Sequence, residues 1–338
     1  MKLSTGSSAL SIWIPGLPSP ADNEPDWQWP GPDDHGPLAE ALRRKSEQKA
    51  PSVQLADAHW ADDPEARILQ LLGVEYPAEY LHAGFAVAQQ VSETDLVWVA
   101  AFDPIHLKAE TDHAIVLGRR FVQPSANECQ QLASAMNAFV QQDGLTVWAE
   151  GNNVYLGAYS TADFAVDSLP LTPLSYALNR NAGAFIQPGQ GGGQYQRLQT
   201  ELQMLLYNHP VNEQRARQGQ PEINAFWAHR ASSLPARPVA QPAIAAGLVT
   251  DSLLLQQYQA DALAELSMLS DAQIIAYTEP GWCRLEGDLA GFQQALTNLD
   301  QKLQDLQVPK LVVTNTAGYC WRSPNRWQRW FQRLNPSV

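Results

Sequence analysis

The spacing of apolar residues along this chain changes from place to place, and those changes outline its elements. Leu10, Ile12, Trp13 and Ile14 make a short apolar run stopped by Pro15 and Gly16, which predicts a first strand. Residues 17–37 are rich in Pro, Asp and Trp and predict a loop or lid. Helices are expected from Pro37 to Lys49, from Pro64 to Leu72 before Gly73, and from Pro77 to Val91. Leu96 to Phe102 is almost continuously apolar between polar flanks, the pattern of a strand buried on both faces. Ala114 to Leu117 reads as its neighbour.

Between Ala126 and Gln142 the period becomes helical, with Cys129, Leu132, Ala133, Met136, Phe139 and Val140 on one stripe. Asp143-Gly144 closes that helix. Leu145–Trp148 and Val154–Tyr159 then predict a hairpin around Gly151, Asn152 and Asn153. Residues 160–193 are irregular and end in three glycines. No strand stands directly before these glycines and no Lys-Ser/Thr follows, so they read as a flexible loop and not a phosphate loop. The last third alternates: a strand at Ile274–Tyr277, a helix striped by Leu289, Phe292, Leu296, Leu299, Leu303 and Leu306, and a strand at Leu311–Thr314. Alternating strands and helices predict an α/β fold with a mostly parallel sheet flanked by helices. The 338 residues are expected to form one large α/β domain; a Pro/Ala-rich linker at 232–246 is where a division into 1–231 and 247–338 would fall.

Composition narrows the class of partner. Apolar residues make up 45 % and charged residues 17 %, enough for a sizeable core. The 35 acidic and 22 basic residues leave a net charge of −13, which argues against nucleic acid or an anionic membrane as the main partner. Cys129, Cys283 and Cys320 are sparse and form no CxxC pair, a pattern of a reducing cytoplasm. No apolar run has signal-peptide or membrane-span length, so a cytoplasmic protein is expected.

Two polar clusters carry the candidate chemistry. Asp103 and His106, followed by Asp112 and His113, are expected just beyond the strand Leu96–Phe102, where open α/β sheets bind ligands. These are standard donors for a divalent metal, and Asp103 could also orient His106 as an acid–base pair. The structural alternative has Asp103 capping a turn and His106 packing on the sheet edge.

The second cluster follows an apolar-faced helix. Leu198, Leu202, Leu205 and Leu206 mark its buried stripe, and Pro210 breaks it. Asn208, His209, Asn212 and Arg215 then offer enough hydrogen bonding to hold an anionic or hydroxylated ligand, or to tie the turn's own backbone into a corner. Both readings stand at this point.

The order Asp103-Pro-Ile-His106-Leu and Asp112-His113, then ELQMLLYNHPVNEQRARQGQPEINAFW from Glu201 to Trp227, resembles the RpfE-type bacterial regulatory proteins. The resemblance places Asp103, His106, Glu201, Gln203, His209, Asn212, Arg215, Gly219 and Asn224 at motif positions. After Trp227 this chain carries Ala228, His229, Arg230 and Ala231 where the family tends to glycines. Members are often labelled cofactor-independent phosphoglycerate mutase, which implies an alkaline-phosphatase-like α/β fold, two metals and a Ser or Thr nucleophile. Here Pro15-Gly16 stands where an early metal-binding Asp is expected, and no serine fits a nucleophile position.

At the C-terminus, Trp321, Arg322 and the run Arg326–Arg333 interleave arginines with aromatics. Trp327, Trp330 and Phe331 have the spacing of a helix docked on the core, which outweighs a nucleic-acid reading in so acidic a chain. The first functional expectation is therefore a non-catalytic regulatory or ligand-binding protein, its partner a small anionic ligand or another protein. The alternative is a metal-dependent phosphoryl-transfer enzyme with a reduced site, using a divalent metal at Asp103, His106, Asp112 and His113.

Overall fold

The computed structural model describes residues 10–18, 27, 29–31, 33–44, 46–48, 63–71, 95–164, 169, 172–185, 192–233, 248–252, 261–262, 274–306, 311–315 and 319–323. They belong to two units, one built from residues 1–75 and 241–338, the other from residues 76–240. The boundary near residue 240 falls inside the Pro/Ala-rich stretch, most of which lies outside the described residues. The predicted helix Pro77–Val91 and the tail Arg326–Arg333 also lie outside them.

In the first unit the opening apolar run becomes β1 (Leu10–Trp13), in the middle of a seven-stranded sheet. The strand order is β2 (Glu47–Gln48), β12 (Tyr319–Arg322), β11 (Leu311–Thr314), β1, β10 (Ile274–Ala276), β8 (Leu248–Thr250) and β9 (Asp261–Ala262). β1 runs parallel to both neighbours, with Ile12 opposite Ile275 on one side and Val313 on the other. Only β12 runs the other way, antiparallel to β11 and β2. The helices of this unit are α1 (Pro37–Leu42), α2 (Pro64–Leu71), α8 (Glu279–Leu285) and α9 (Leu289–Asp305).

The α9 stripe buries Phe292, Leu296, Leu299 and Leu303 with Ile12, Ile14 and Val313. Each such side chain removed from water stabilises the unit by roughly 1.5–3 kcal/mol. The same helix face holds a buried carboxylate, Asp300, that accepts from the Leu38 N–H at 2.7 Å and so caps α1. After β1 the chain turns at Gly16, whose φ is +84°. A Cβ there would lie 2.8 Å from the Gly281 Cα, so two backbones meet where no side chain fits.

The second unit's sheet is antiparallel, which confines the expected mostly parallel sheet to the first unit; the predicted hairpin is present as its last two paired strands before residue 160. Its centre is β3 (Leu96–Ala109), fourteen residues long. β3 pairs with β4 (Ala114–Leu117), β6 (Asn153–Tyr159) and β7 (Ala225–Ser233), and β6 pairs with β5 (Leu145–Glu150). Its helices are α3 (Arg119–Val122), α4 (Ala126–Val140), α5 (Leu174–Ala177), α6 (Gly192–Tyr207) and α7 (Pro210–Arg217). One sheet face buries Ala100, Phe102, Val147, Leu156 and Phe226 with Leu132, Met136, Leu198 and Leu202 of α4 and α6. The α4 N-terminus is fixed by a capping box, Ser125 and Glu128 bonding each other's backbone.

Three element boundaries differ from expectation. The first helix ends at Leu42, and Glu47–Gln48 pairs with β12 instead of extending it. The segment beyond Pro210 is helical: Pro210 stops one helix and supplies the first residue of the next. β3 runs on past Phe102 through Asp103, Pro104 and His106. Between β6's last partner, Ala101, and β4's first, His106, β3 is paired on the β7 side alone. Proline, with no N–H to give, is tolerated where one side of a strand is unpaired.

Candidate functional site

The extension of β3 removes the strand-end argument, because Asp103 and His106 lie within an antiparallel strand. His106 holds the Glu222 carbonyl through Nδ1 at 2.9 Å and packs its ring against Phe121. Asp112 and His113 pair with each other at 2.6 Å in the turn to β4, with Asp112 85 % exposed. The four residues are therefore not drawn to one point. Among the described residues no three of His, Cys, Asp and Glu stand where they could hold a metal ion.

The Glu201–Trp227 segment is a tied corner. His209 caps α7, its Nδ1 accepting from the Val211 N–H at 3.2 Å, and burial lowers its pKa. Asn212 is buried; its amide donates to the Leu206 and Ile223 carbonyls, and its Oδ1 accepts the Ile223 N–H, each at 2.9 Å. Arg215, only 2 % exposed, donates to the Pro221 carbonyl at 2.8 Å, to Glu128 at 2.7 Å and to the Val122 carbonyl. Asn224 makes a backbone-like pair of bonds to Leu107. Glu201 pairs with the exposed Arg197 one turn earlier, and Gln203 is half-buried on α6. His209, Asn212, Arg215 and Asn224 spend their hydrogen bonds on the fold.

Asp103 is different. Residues directly opposite each other in an antiparallel sheet share a face. Ala101 stands opposite His229 on β7 and Tyr155 on β6, and Tyr155 stands opposite Trp148 on β5. Asp103 and Asn153 lie two residues along from Ala101 and Tyr155, on that same face. It is the face away from the α4–α6 core.

On it, His229 Nε2 donates to Asp103 Oδ2 at 2.7 Å. The Leu174 N–H points at His229 Nδ1 from 3.4 Å; an N–H can only donate, so Nδ1 carries the lone pair and Nε2 the proton. Arg119 approaches Asp103 Oδ1 to 3.8 Å and holds the β5–β6 turn through Asn153 Oδ1 at 3.3 Å and the Asn152 carbonyl. Burial would raise the Asp103 pKa, but His229, then Arg119 and Arg230, outweigh it and bring the carboxyl down to about 2. Burial first, then the charges of Glu150 and Asp103, push the neighbouring Tyr155 up to about 12. Asp103 is 22 % and Arg119 29 % exposed, so solvent reaches a charged centre in the middle of a sheet.

Asp103 was visible in the sequence; its partners were not. His229 and Arg230 are the residues by which this chain departs from the glycines of the family it resembles. Their sequence signal read as bulk near a backbone; the β3–β7 register brings His229 to Asp103, and Arg230 adds its charge from nearby.

No protein-family model matches the chain, and no curated protein matches it closely enough to count as a relative. Similar solved structures include the PH0037 protein from Pyrococcus horikoshii, 10 % identical with a TM-score of 0.46, over 93 % of this chain and 86 % of that one. Another is the cofactor-independent phosphoglycerate mutase from Thermoplasma acidophilum DSM 1728, 14 % identical with a TM-score of 0.35, over 94 % and 90 %. No helix among the described residues is long and apolar enough to cross a membrane.

Proposed function

We propose that this chain is a non-catalytic ligand-binding protein, in keeping with the RpfE-type regulatory resemblance. Its second unit would hold a small anionic ligand at Arg119, beside Asp103. The observation that supports the reading is the solvent-reached pair of Arg119 and Asp103 on the sheet face away from α4 and α6. Arg119 supplies the positive charge, and its fork is already oriented by Asn153 and the Asn152 carbonyl. Asp103, paired with His229, stays an acceptor for a ligand hydroxyl or amine.

The same geometry speaks against acid–base chemistry here. A useful general acid or base has a pKa near the working pH, and a carboxyl at about 2 does not. Both nitrogens of His229 are engaged and its side chain is 2 % exposed, so it cannot reach a substrate proton.

The test is calorimetric titration of the full chain with small phosphorylated and carboxylated metabolites, beside a phosphoester-hydrolysis screen with added divalent metals. Saturable binding without turnover is expected. Metal-dependent hydrolysis would favour the phosphoryl-transfer alternative instead.

A further inference from the structure

The facing charges of Asp103 and Arg119 also set the kind of molecule they can hold, and this inference rests on the ligand-binding reading above. Asp103 Oδ2 is taken by His229 at 2.7 Å. Among the described residues no N–H or O–H bonds to its other oxygen, Oδ1, which faces Arg119 Nη1 at 3.8 Å, too far for a hydrogen bond. Against burial, His229, Arg119 and Arg230 hold the carboxyl ionised, at about 2. Asp103 therefore presents a full negative charge on an oxygen that lacks a donor. Arg119 commits one terminal nitrogen to Asn153 Oδ1 and the other to the Asn152 carbonyl, and each nitrogen has a second N–H to give.

The two groups act on different parts of a ligand. An anion with no donor of its own, seated on the Arg119 hydrogens beside Asp103, would stand within roughly 4 Å of the carboxylate, where like charges repel on the scale on which Arg119 attracts. A ligand that carries a cationic donor next to its anionic group turns that repulsion into a second attraction. The spacing sets how near those two groups must be. Standard bond lengths place the amine nitrogen of an α-amino acid ~2.7 Å from its nearer carboxylate oxygen. Two charge-assisted hydrogen bonds of ~2.8 Å then reach protein atoms 3.8 Å apart, which form the long side of a four-atom ring. Asp103 and Arg119 are 22 % and 29 % exposed, so such a head group caps the pair from the solvent side and displaces only water.

We propose that the ligand is a free α-amino acid. Its ammonium donates to Asp103 Oδ1, and its carboxylate accepts from Arg119. A phosphate or a simple carboxylate would meet Arg119 alone.

The test is calorimetric titration of the full chain with L-alanine and L-glutamate, beside propionate and glutarate, which lack the amine, and L-lactate, which carries a hydroxyl in its place. Each amino acid should bind at least roughly tenfold tighter than its deaminated partner, and L-alanine should bind more tightly than L-lactate. Asp103→Asn keeps the shape of the side chain and removes its charge. It should erase the advantage, with thermal unfolding checking that the variant is folded. The comparison of ligands on the unmodified chain decides the inference whether or not that variant folds. Propionate or L-lactate binding as tightly as L-alanine would overturn the ammonium contact and leave the anion reading intact, as would an advantage that survives in folded Asp103→Asn. No binding of any of these probes would count against the anion reading itself.

Discussion

Replacing Arg215 by Met tests whether the Asn208–Asn224 segment is structural. The guanidinium is 2 % exposed and makes bonds to Glu128, the Pro221 carbonyl and the Val122 carbonyl. Met keeps much of the volume and removes every donor. Two carbonyls then lose their partner, at roughly 1–3 kcal/mol for each that stays buried. Glu128 keeps its bonds to Ser125 and is 20 % exposed, so its loss is partial. Breaking a buried ion pair from one side typically costs about 3–5 kcal/mol, and the retained Glu128 bonds place Arg215→Met near the lower end, ~3 kcal/mol. Glu128→Gln should cost ~1–2 kcal/mol, and the double variant should fall short of the sum by at least ~1 kcal/mol. Urea unfolding followed by far-ultraviolet circular dichroism measures all three. A change below ~1 kcal/mol for Arg215→Met would refute the corner. So would a variant that stays folded and loses affinity for small anions.

Other outcomes follow from the same geometry. Asp103 titrates at about 2 in the fold against an ordinary 3.8, so its contribution is fully present above about pH 4 and is lost as pH falls toward 2. That difference is worth ~2 kcal/mol, and Asp103→Asn should flatten stability against pH across that window; an unchanged slope in acid unfolding would count against the pairing of Asp103 with His229 and Arg119. Gly16→Ala puts a Cβ at φ +84° and 2.8 Å from the Gly281 Cα. It should lower stability by more than ~2 kcal/mol in thermal unfolding, and a loss within ~0.5 kcal/mol would mean the two backbones separate easily.

The sequence was most informative where the signal was local. The α9 stripe, the α4 stripe, the hairpin around Gly151, Asn152 and Asn153 and the apolar strands were all legible, because period and turn chemistry are properties of neighbours. What failed was pairing. Asp103-Pro104 looked like the end of a strand, and it continued because β6 hands over to β4 there. The local hairpin β5–β6 was read, but the antiparallel pairing of β3 with β6 and β7 was hidden for the same reason, since direction is set by partners far along the chain. The family-like motif was found, but as a corner: Asn212, Arg215 and Asn224 are polar to satisfy buried backbone. His229 lies 126 residues from Asp103, and no spacing rule joins them. Most of the candidate site therefore had to come from the sheet register.

The central claim is that Arg119 and Asp103 hold a small anion on the sheet face away from α4 and α6. The most direct measurement is the affinity of Arg119→Gln for the tightest-binding metabolite of the titration, against the unmodified chain and an Arg217→Gln control. Arg217 is on α7, 74 % exposed and paired with Glu213, outside the proposed site. Loss of one charge-assisted contact should weaken binding by roughly 10–100-fold in Arg119→Gln and leave the control unchanged. Equal affinity in Arg119→Gln and the unmodified chain would contradict the account.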